Sequence, residues 1–245
     1  MSSLCIEHAV LLGGEGTTWA ARDRWREGPV WHAQHNGEPL EACAELLEQA
    51  PRGRLKRLDR AHVLLGFPHV HYLMLPWQDG LYSPDDWQGF ARATFLQDAG
   101  VDPAQCQVQI ASAPFGAARL AVATPLELLH ALRLLFRAQH LPLGTCLPLL
   151  TATAQRYWQQ LPADGVLAVP EASALSCLYL HGGEATQACA LPVAPGTPLH
   201  SSLFAAAVLS AENPAAVVVA GPRPPTASDG HWLGPLHPWM QEDAG

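Results

Sequence analysis

The chain is 245 residues long, 49% hydrophobic and only 15% charged, with a formal net charge of −8. That length accommodates one large domain or two small lobes with proper cores, and the composition excludes a disordered chain. So few cations on an acidic chain exclude nucleic acid and anionic membrane surfaces as main partners.

Ile6 to Leu12 reads as a strand, Gly13-Gly14-Glu15-Gly16 as a turn and Thr17 to Trp25 as a returning strand. Pro29 to His35 is a third strand, closed by Asn36-Gly37. Pro39 to Gln49 has helical spacing, with Leu40, Cys43, Leu46 and Leu47 on one face. Ala61 to Phe67 and Val70 to Leu75 are strands meeting near Pro68. Ser83-Pro84-Asp85-Asp86 opens a helix to about Asp98: Ser83 caps it, Pro84 suits its first turn, and two carboxylates favour its positive end. Gln107 to Ala111 and Arg119 to Ala123 form a hairpin around Pro114-Phe115-Gly116. Pro125 to Gln139 is a helix on Leu128, Leu129, Leu132 and Leu135-Phe136, and Pro148 starts another that ends near Leu161.

Strands then return at Gly165 to Val169, Ala174 to Leu180 and Thr186 to Leu191, the last two joined by Gly182-Gly183-Glu184. A helix over Pro198 to Leu209 and a buried strand over Ala215 to Val219 follow. Both ends of the chain thus read β-β-β-α-β. Leu11 to Thr17 echoes Leu180 to Thr186 and supports an internal duplication, although paired glycines are also what tight hairpins select. The segment after Gly221 is rich in Pro and Gly and carries Trp232, Trp239 and Met240; an extended tail is expected there. Domain boundaries are expected at 1–145 for a first lobe with an inserted helix-hairpin subdomain, 146–221 for a reduced second lobe, and 222–245 for the tail.

Cys5, Cys43, Cys106, Cys146, Cys177 and Cys189 form no C-x-x-C pair, and most sit in apolar runs. Reduced thiols and a cytoplasmic compartment follow from that pattern. No signal peptide and no run near the ~20 apolar residues of a membrane span are seen. The one basic cluster, Arg52, Arg54, Lys56, Arg57 and Arg60, reads as a solvated helix exit.

Two β-β-β-α-β blocks joined through helices resemble the duplicated ribonuclease-H-like lobes of the actin superfamily. The middle of the chain is more specific. Val63-Leu64-Leu65, then Val70 to Trp77, a helix, a hairpin, and Leu120 to Pro125 leading into a helix are similar to the actin-like proteins of bacterial envelope machines. That group includes the type IV pilus protein PilM and the cytoplasmic domain of the type II secretion L protein. Leu141-Pro142-Leu143 to Leu147-Pro148 fits the group's Pro-containing strand exit to the second lobe. The resemblance covers residues 4 to 220. It implies a two-lobed α/β actin-like fold and a cytoplasmic scaffold, peripheral at the inner membrane, that works through protein partners and without a cofactor.

Nucleotide-binding members carry an Asp-x-Gly turn in each lobe, where Asp holds the metal and backbone amides hold phosphate. Here Gly13 and Gly182 follow Leu12 and His181, with no Asp nearby and no Lys in the first turn. The adenosine loop is reduced to Ala220-Gly221-Pro222, and Pro222 removes an amide donor. Without metal carboxylates, ATP chemistry loses its main charge stabilisation. The alternative, an actin-superfamily ATPase or kinase with atypical phosphate loops, rests on Glu15 and Glu184 meeting in the cleft. A ribonuclease-H-type nuclease needs clustered acids that the strands lack.

Other candidate chemistry is thin. His69 and His71 share a strand face, but zinc requires three or four ligands. Capping accounts for Asp85 and Asp86, and Asp79 sits in the preceding turn. Ser112, Ser173 and Ser176 lack a nucleophile elbow. Cys146 and His140 are near only in sequence, and Gly14 and Gly16 make no dinucleotide fingerprint. No catalytic, cofactor-binding or metal residue is therefore expected. Protein partners and self-association are, with sheet edges, the inserted hairpin and the Trp-bearing tail as candidate surfaces.

Overall fold

The computed structural model describes residues 4–23, 31–223 and 230–240. Three of the expected elements are met at both ends: β1 (Ile6–Leu12), α1 (Pro39–Gln49), and, after Ser83, α2 (Pro84–Asp98). Ser83 accepts from the Asp86 amide at 3.1 Å while Asp86 accepts from the Ser83 amide at 3.0 Å, a reciprocal capping box. The remaining elements of the first half are β2 (Gly16–Asp23), β3 (Trp31–Asn36), β4 (Arg60–Leu65), β5 (His71–Leu75), β6 (Cys106–Ile110), β7 (Arg119–Pro125), α3 (Leu126–Ala138) and β8 (Leu143–Pro148). The ends expected at Trp25 and Pro29 lie outside the described residues. The second half holds α4 (Leu149–Tyr157), β9 (Gly165–Pro170), β10 (Ala174–His181), β11 (Glu184–Pro192), α5 (Leu199–Ser210), β12 (Val217–Ala220) and β13 (His231–Gly234).

Two five-stranded sheets have the same construction, with orders β3-β2-β1-β4-β8 and β11-β10-β9-β12-β13. In each the first three strands are antiparallel and the last two join in parallel. The duplicated β-β-β-α-β blocks are therefore real, but the letters that suggested them are misaligned. Gly13-Gly14-Glu15 links β1 to β2, whereas Gly182 and Gly183 link β10 to β11, the second hairpin of its lobe. The true counterpart of the first turn is Glu171-Ala172-Ser173, between β9 and β10. Gly182 and Gly183 have φ of 60° and 81°, the left-handed pair a two-residue hairpin demands, so their likeness to the first turn is convergent.

One strand was legible only through the resemblance, and one escaped the sequence. β8 completes the first sheet although its exposed Gly144 and Thr145 break any apolar run. The segment after Gly221, expected to be an extended tail, supplies β13 and docks on its own chain. Trp232 Nε1 donates to Gly221 O at 3.0 Å, Tyr157 Oη to Pro235 O at 2.8 Å, and the Arg22 guanidinium lies 5.6 Å from the Trp239 ring.

β5 leaves the main sheet and joins a three-stranded insert of order β5-β7-β6 under α2. The main core does not stop at the lobe boundary. One apolar cluster runs from Leu12 and Leu65 through Leu149, Leu150, Ala154 and Tyr157 of α4 to Leu167, Leu178, Val218 and Ala220 of the second lobe. The basic cluster is only partly solvated: Arg52 donates to Gln139 O at 3.3 Å, and Arg60 turns onto the carbonyls of Arg57 and Asp59. Buried Asp59 accepts from the amides of Ile6 and Gly53 at 2.7 and 3.1 Å, and so pins the start of β1.

Candidate functional site

The first turns of the two lobes meet at a seam. Gly66, just past β4, donates to Leu12 O at 2.8 Å, and the next amide, Phe67, donates across the lobes to Glu171 Oε2 at 2.8 Å. Ser176 Oγ donates to Glu171 Oε1 at 3.0 Å. Burial pushes the Glu171 carboxyl up to about 6, although both donors pull it the other way. A Cβ on Gly66 would meet Glu171 Oε2, so any larger residue here must displace the carboxylate. A Cβ on Gly14 would lie 3.0 Å from Pro68 Cδ and 3.3 Å from Ser173 Oγ, so the turns are in contact. Behind them the Leu150 amide donates to Tyr72 Oη at 3.2 Å, tying α4 to β5.

The leading amide of each turn is already committed. Gly13 donates to Gly16 O at 3.0 Å and Glu171 to Ala174 O at 2.8 Å. Gly221, the last glycine of the second parallel strand exit, donates to Gly234 O of β13 at 2.8 Å, and Pro222 has no amide hydrogen. Glu15 and Glu184 are both exposed, and they stand on non-equivalent hairpins. The Glu184 turn is held instead by Asp164, which accepts from the Gly182 amide at 3.0 Å and pairs with His181 at 2.8 Å. The symmetric pair of acids in the cleft is thus corrected to one acid, Glu171, which sequence reasoning passed over.

The other sequence candidates scatter. His69 Nε2 bonds Gly13 O at 3.2 Å, and His62 Nδ1 bonds Thr145 Oγ1 at 2.8 Å. Among the described residues no three His, Cys, Asp or Glu side chains gather as a metal site. Asp79 accepts from Trp77 Nε1 at 3.0 Å. Burial pushes the Cys146 thiol up to about 11, against the pull of Arg133, so it is protonated at neutral pH. His140 sits exposed in the turn after α3 at φ 51°.

A cleft of about 300 Å³ opens between the first sheet and the insert. Leu65, Leu129 and Leu132 form its floor, Gln107 and Gln109 of β6 one wall, Thr145 and Cys146 of β8 the other, and Arg133 its rim. Both wall strands are the edges of their sheets. An edge strand presents unpaired N–H and C=O groups along one side.

No family model matches the chain, and no curated protein matches it either. Solved structures do match. The cytoplasmic domain of EpsL, an inner-membrane component of the type II secretion system of Vibrio cholerae, superposes with a TM-score of 0.62 at 16% identity, over 96% of this chain and 91% of that one. A Bacteroides thetaiotaomicron protein with an actin-like ATPase fold gives 0.59 at 9% identity, over 93% and 86%. The fold is actin-like. A PilM–PilN type IV pilus biogenesis complex aligns more loosely, with a TM-score of 0.49 over 76% of this chain and 61% of that chain.

In an actin-like fold the paired first turns are where Asp residues hold a metal and amides hold phosphate. Here that place holds a carboxylate bonded to the opposite lobe, and the Gly13 and Glu171 amides bond within their own turns. A polyphosphate would confront Glu171 without a lysine to offset it, since Lys56 is the sequence's one lysine and lies in the exposed turn before β4. No helix among the described residues is long and apolar enough to cross a membrane.

Proposed function

We propose that the protein is a non-catalytic cytoplasmic scaffold of a pilus- or type II secretion-like envelope assembly, and that it holds a partner without using nucleotide. The observation that carries the reading is Glu171 bridging the lobes to the Phe67 amide at 2.8 Å, in the place a phosphate would need. The near-complete overlap with a cytoplasmic domain of an inner-membrane secretion component supports the choice of machine. The partner site in this reading is the cleft between β6 and β8. An extended segment entering it adds to two open sheet edges, with Gln107, Gln109 and Thr145 to complete its hydrogen bonds.

A photo-crosslinking residue placed at Gln109 or at Thr145 in the native cell tests this. The expected product joins the chain to the cytoplasmic segment of a membrane-anchored assembly protein, while the same probe at exposed Glu184 gives none. Products containing only soluble metabolic enzymes would overturn it. A second reading, an ATPase or kinase with atypical phosphate loops, draws on the same Glu171 as a cleft carboxylate. It requires the Phe67 and Ser176 bonds to break before any nucleotide enters.

A further inference from the structure

All six cysteines are free, and two of them are direct partners across a strand pair. Cys177 of β10 stands opposite Cys189 of β11, the edge strand of the second sheet. Directly opposed residues of antiparallel strands have Cβ atoms about 4.5–5.5 Å apart, and a disulfide needs about 3.5–4.5 Å, so closure asks for a shift of roughly an ångström. Both thiols face α5. Cys177 is fully buried with Tyr179 and Ala206, and Cys189, partly exposed, packs against that same group beside Leu203. Ser210 at the end of α5 donates Oγ–H to Cys189 Sγ at 3.5 Å.

The two sulfurs are unequal. Hydrogen bonds from Cys177 and Ser210 draw Cys189 below the ordinary thiol range against the effect of burial, and the same contact drives Cys177 upward. Cys189 is therefore the more readily ionised thiol of the pair, whereas burial pushes Cys43 up to about 12 and Cys146 to about 11. An accessible thiolate with a second thiol in bonding reach is the arrangement that peroxide converts into a disulfide.

We propose that Cys177 and Cys189 are a reversible dithiol modification site for hydroperoxides, with Cys189 attacking and Cys177 resolving. The Cys189 thiolate attacks one peroxide oxygen; the S–O bond forms, the O–O bond breaks, and hydroxide leaves as water after taking a proton. Cys177 sulfur then attacks the Cys189 sulfenic acid; the S–S bond forms, the S–O bond breaks, and the second water carries off the Cys177 proton. Two thiols and one hydrogen peroxide give one disulfide and two waters, the two electrons passing from sulfur to peroxide. The bridge locks edge strand β11 to β10 and removes the thiolate that Ser210 faces. It does so at a place distinct from the β6–β8 cleft, and it does not depend on the partner reading.

The test uses the full reduced chain, one equivalent of hydrogen peroxide at pH 7.5, alkylation of remaining thiols, and peptide mapping without reduction. The expected map shows the peptides of Cys177 and Cys189 joined and two hydrogens lighter than their sum, restored by dithiothreitol, with the other four cysteines alkylated. In Cys177→Ser, Cys189 is trapped by dimedone as the sulfenic acid. In Cys189→Ser, consumption of peroxide falls at least about tenfold. Alkylation of both Cys177 and Cys189 after peroxide, or oxidation of another cysteine ahead of Cys189, overturns the proposal.

Discussion

Gly66→Ala is expected to destabilise the protein by about 1–3 kcal/mol, the cost of forcing a methyl into a packed seam, because its Cβ meets the Glu171 carboxylate. Glu171→Gln is expected to do the opposite at pH 8. Glu171 is held up to about 6 from 4.5, so it binds a proton more readily folded than unfolded. Its contribution is present below pH 4.5 and lost as pH rises through 6. At pH 8 the buried charge costs about 1–2 kcal/mol, which a neutral amide avoids while still accepting from the Phe67 amide. In Gly66→Ala combined with Glu171→Ala the clash disappears, so the two changes cost less together than their separate effects sum to, a coupling that reports direct contact. Urea unfolding of the variants at pH 8 and at pH 4.5 checks both signs: the gain from Gln vanishes at the lower pH. Strictly additive effects would mean that the carboxylate does not touch Gly66.

Acid should destabilise the protein well before its carboxylates titrate. His8 is fully buried on β1, accepts at Nδ1 from Trp19 Nε1 at 3.3 Å, and among the described residues has no protein partner at Nε2. Burial, and then the Arg52 charge, lower it to about 3; burial with Arg156 and His62 lowers His237 to about 4. Both are neutral when folded and charged when unfolded over much of the range below pH 6.5. The unfolded chain therefore binds more protons, and stability falls as pH drops from 6.5 towards 3 and 4 respectively. Each histidine held neutral by burial contributes a slope of up to about 1.4 kcal/mol per pH unit. Glu171 works in the other direction between 6 and 4.5, leaving a net loss of roughly 4 kcal/mol by pH 4. His8→Asn keeps an acceptor for Trp19 and should flatten the slope by about one proton. An unchanged slope would show that His8 is not the group that titrates.

The sequence disclosed the blocks because strands and helices with one buried face print their period. β1 and α2 end against Gly13 and Gly100, and α1 ends before Pro51. β13 left no print, and β8 was placed only by the resemblance, as the Pro-containing strand exit over 141–148. Thr145 and Gly144 are exposed in β8, and His231-Trp232-Leu233-Gly234 is too short to show alternation; both strands exist because a parallel neighbour pairs with them. The paired glycines misled for a local reason, since a two-residue hairpin selects them wherever it occurs. Glu171 was invisible for a topological one. In Pro170-Glu171-Ala172-Ser173 it reads as a solvated turn acid, and only the strand order aligns that turn with Gly13-Gly14-Glu15 and places Phe67 above it.

The seam is the central claim, and nucleotide is its most direct probe. Thermal unfolding of the full chain, with and without millimolar Mg-ATP, reads it in one experiment. A closed seam with Glu171 in the phosphate place predicts superimposable curves. A ligand bound to the folded state at 100 times its Kd adds about 2.7 kcal/mol, which for a chain of this size raises the Tm by roughly 5–10 °C. A rise of that size, retained in Cys177→Ser and lost in Gly14→Val, would contradict the account and make the actin-like lobes an ATP site.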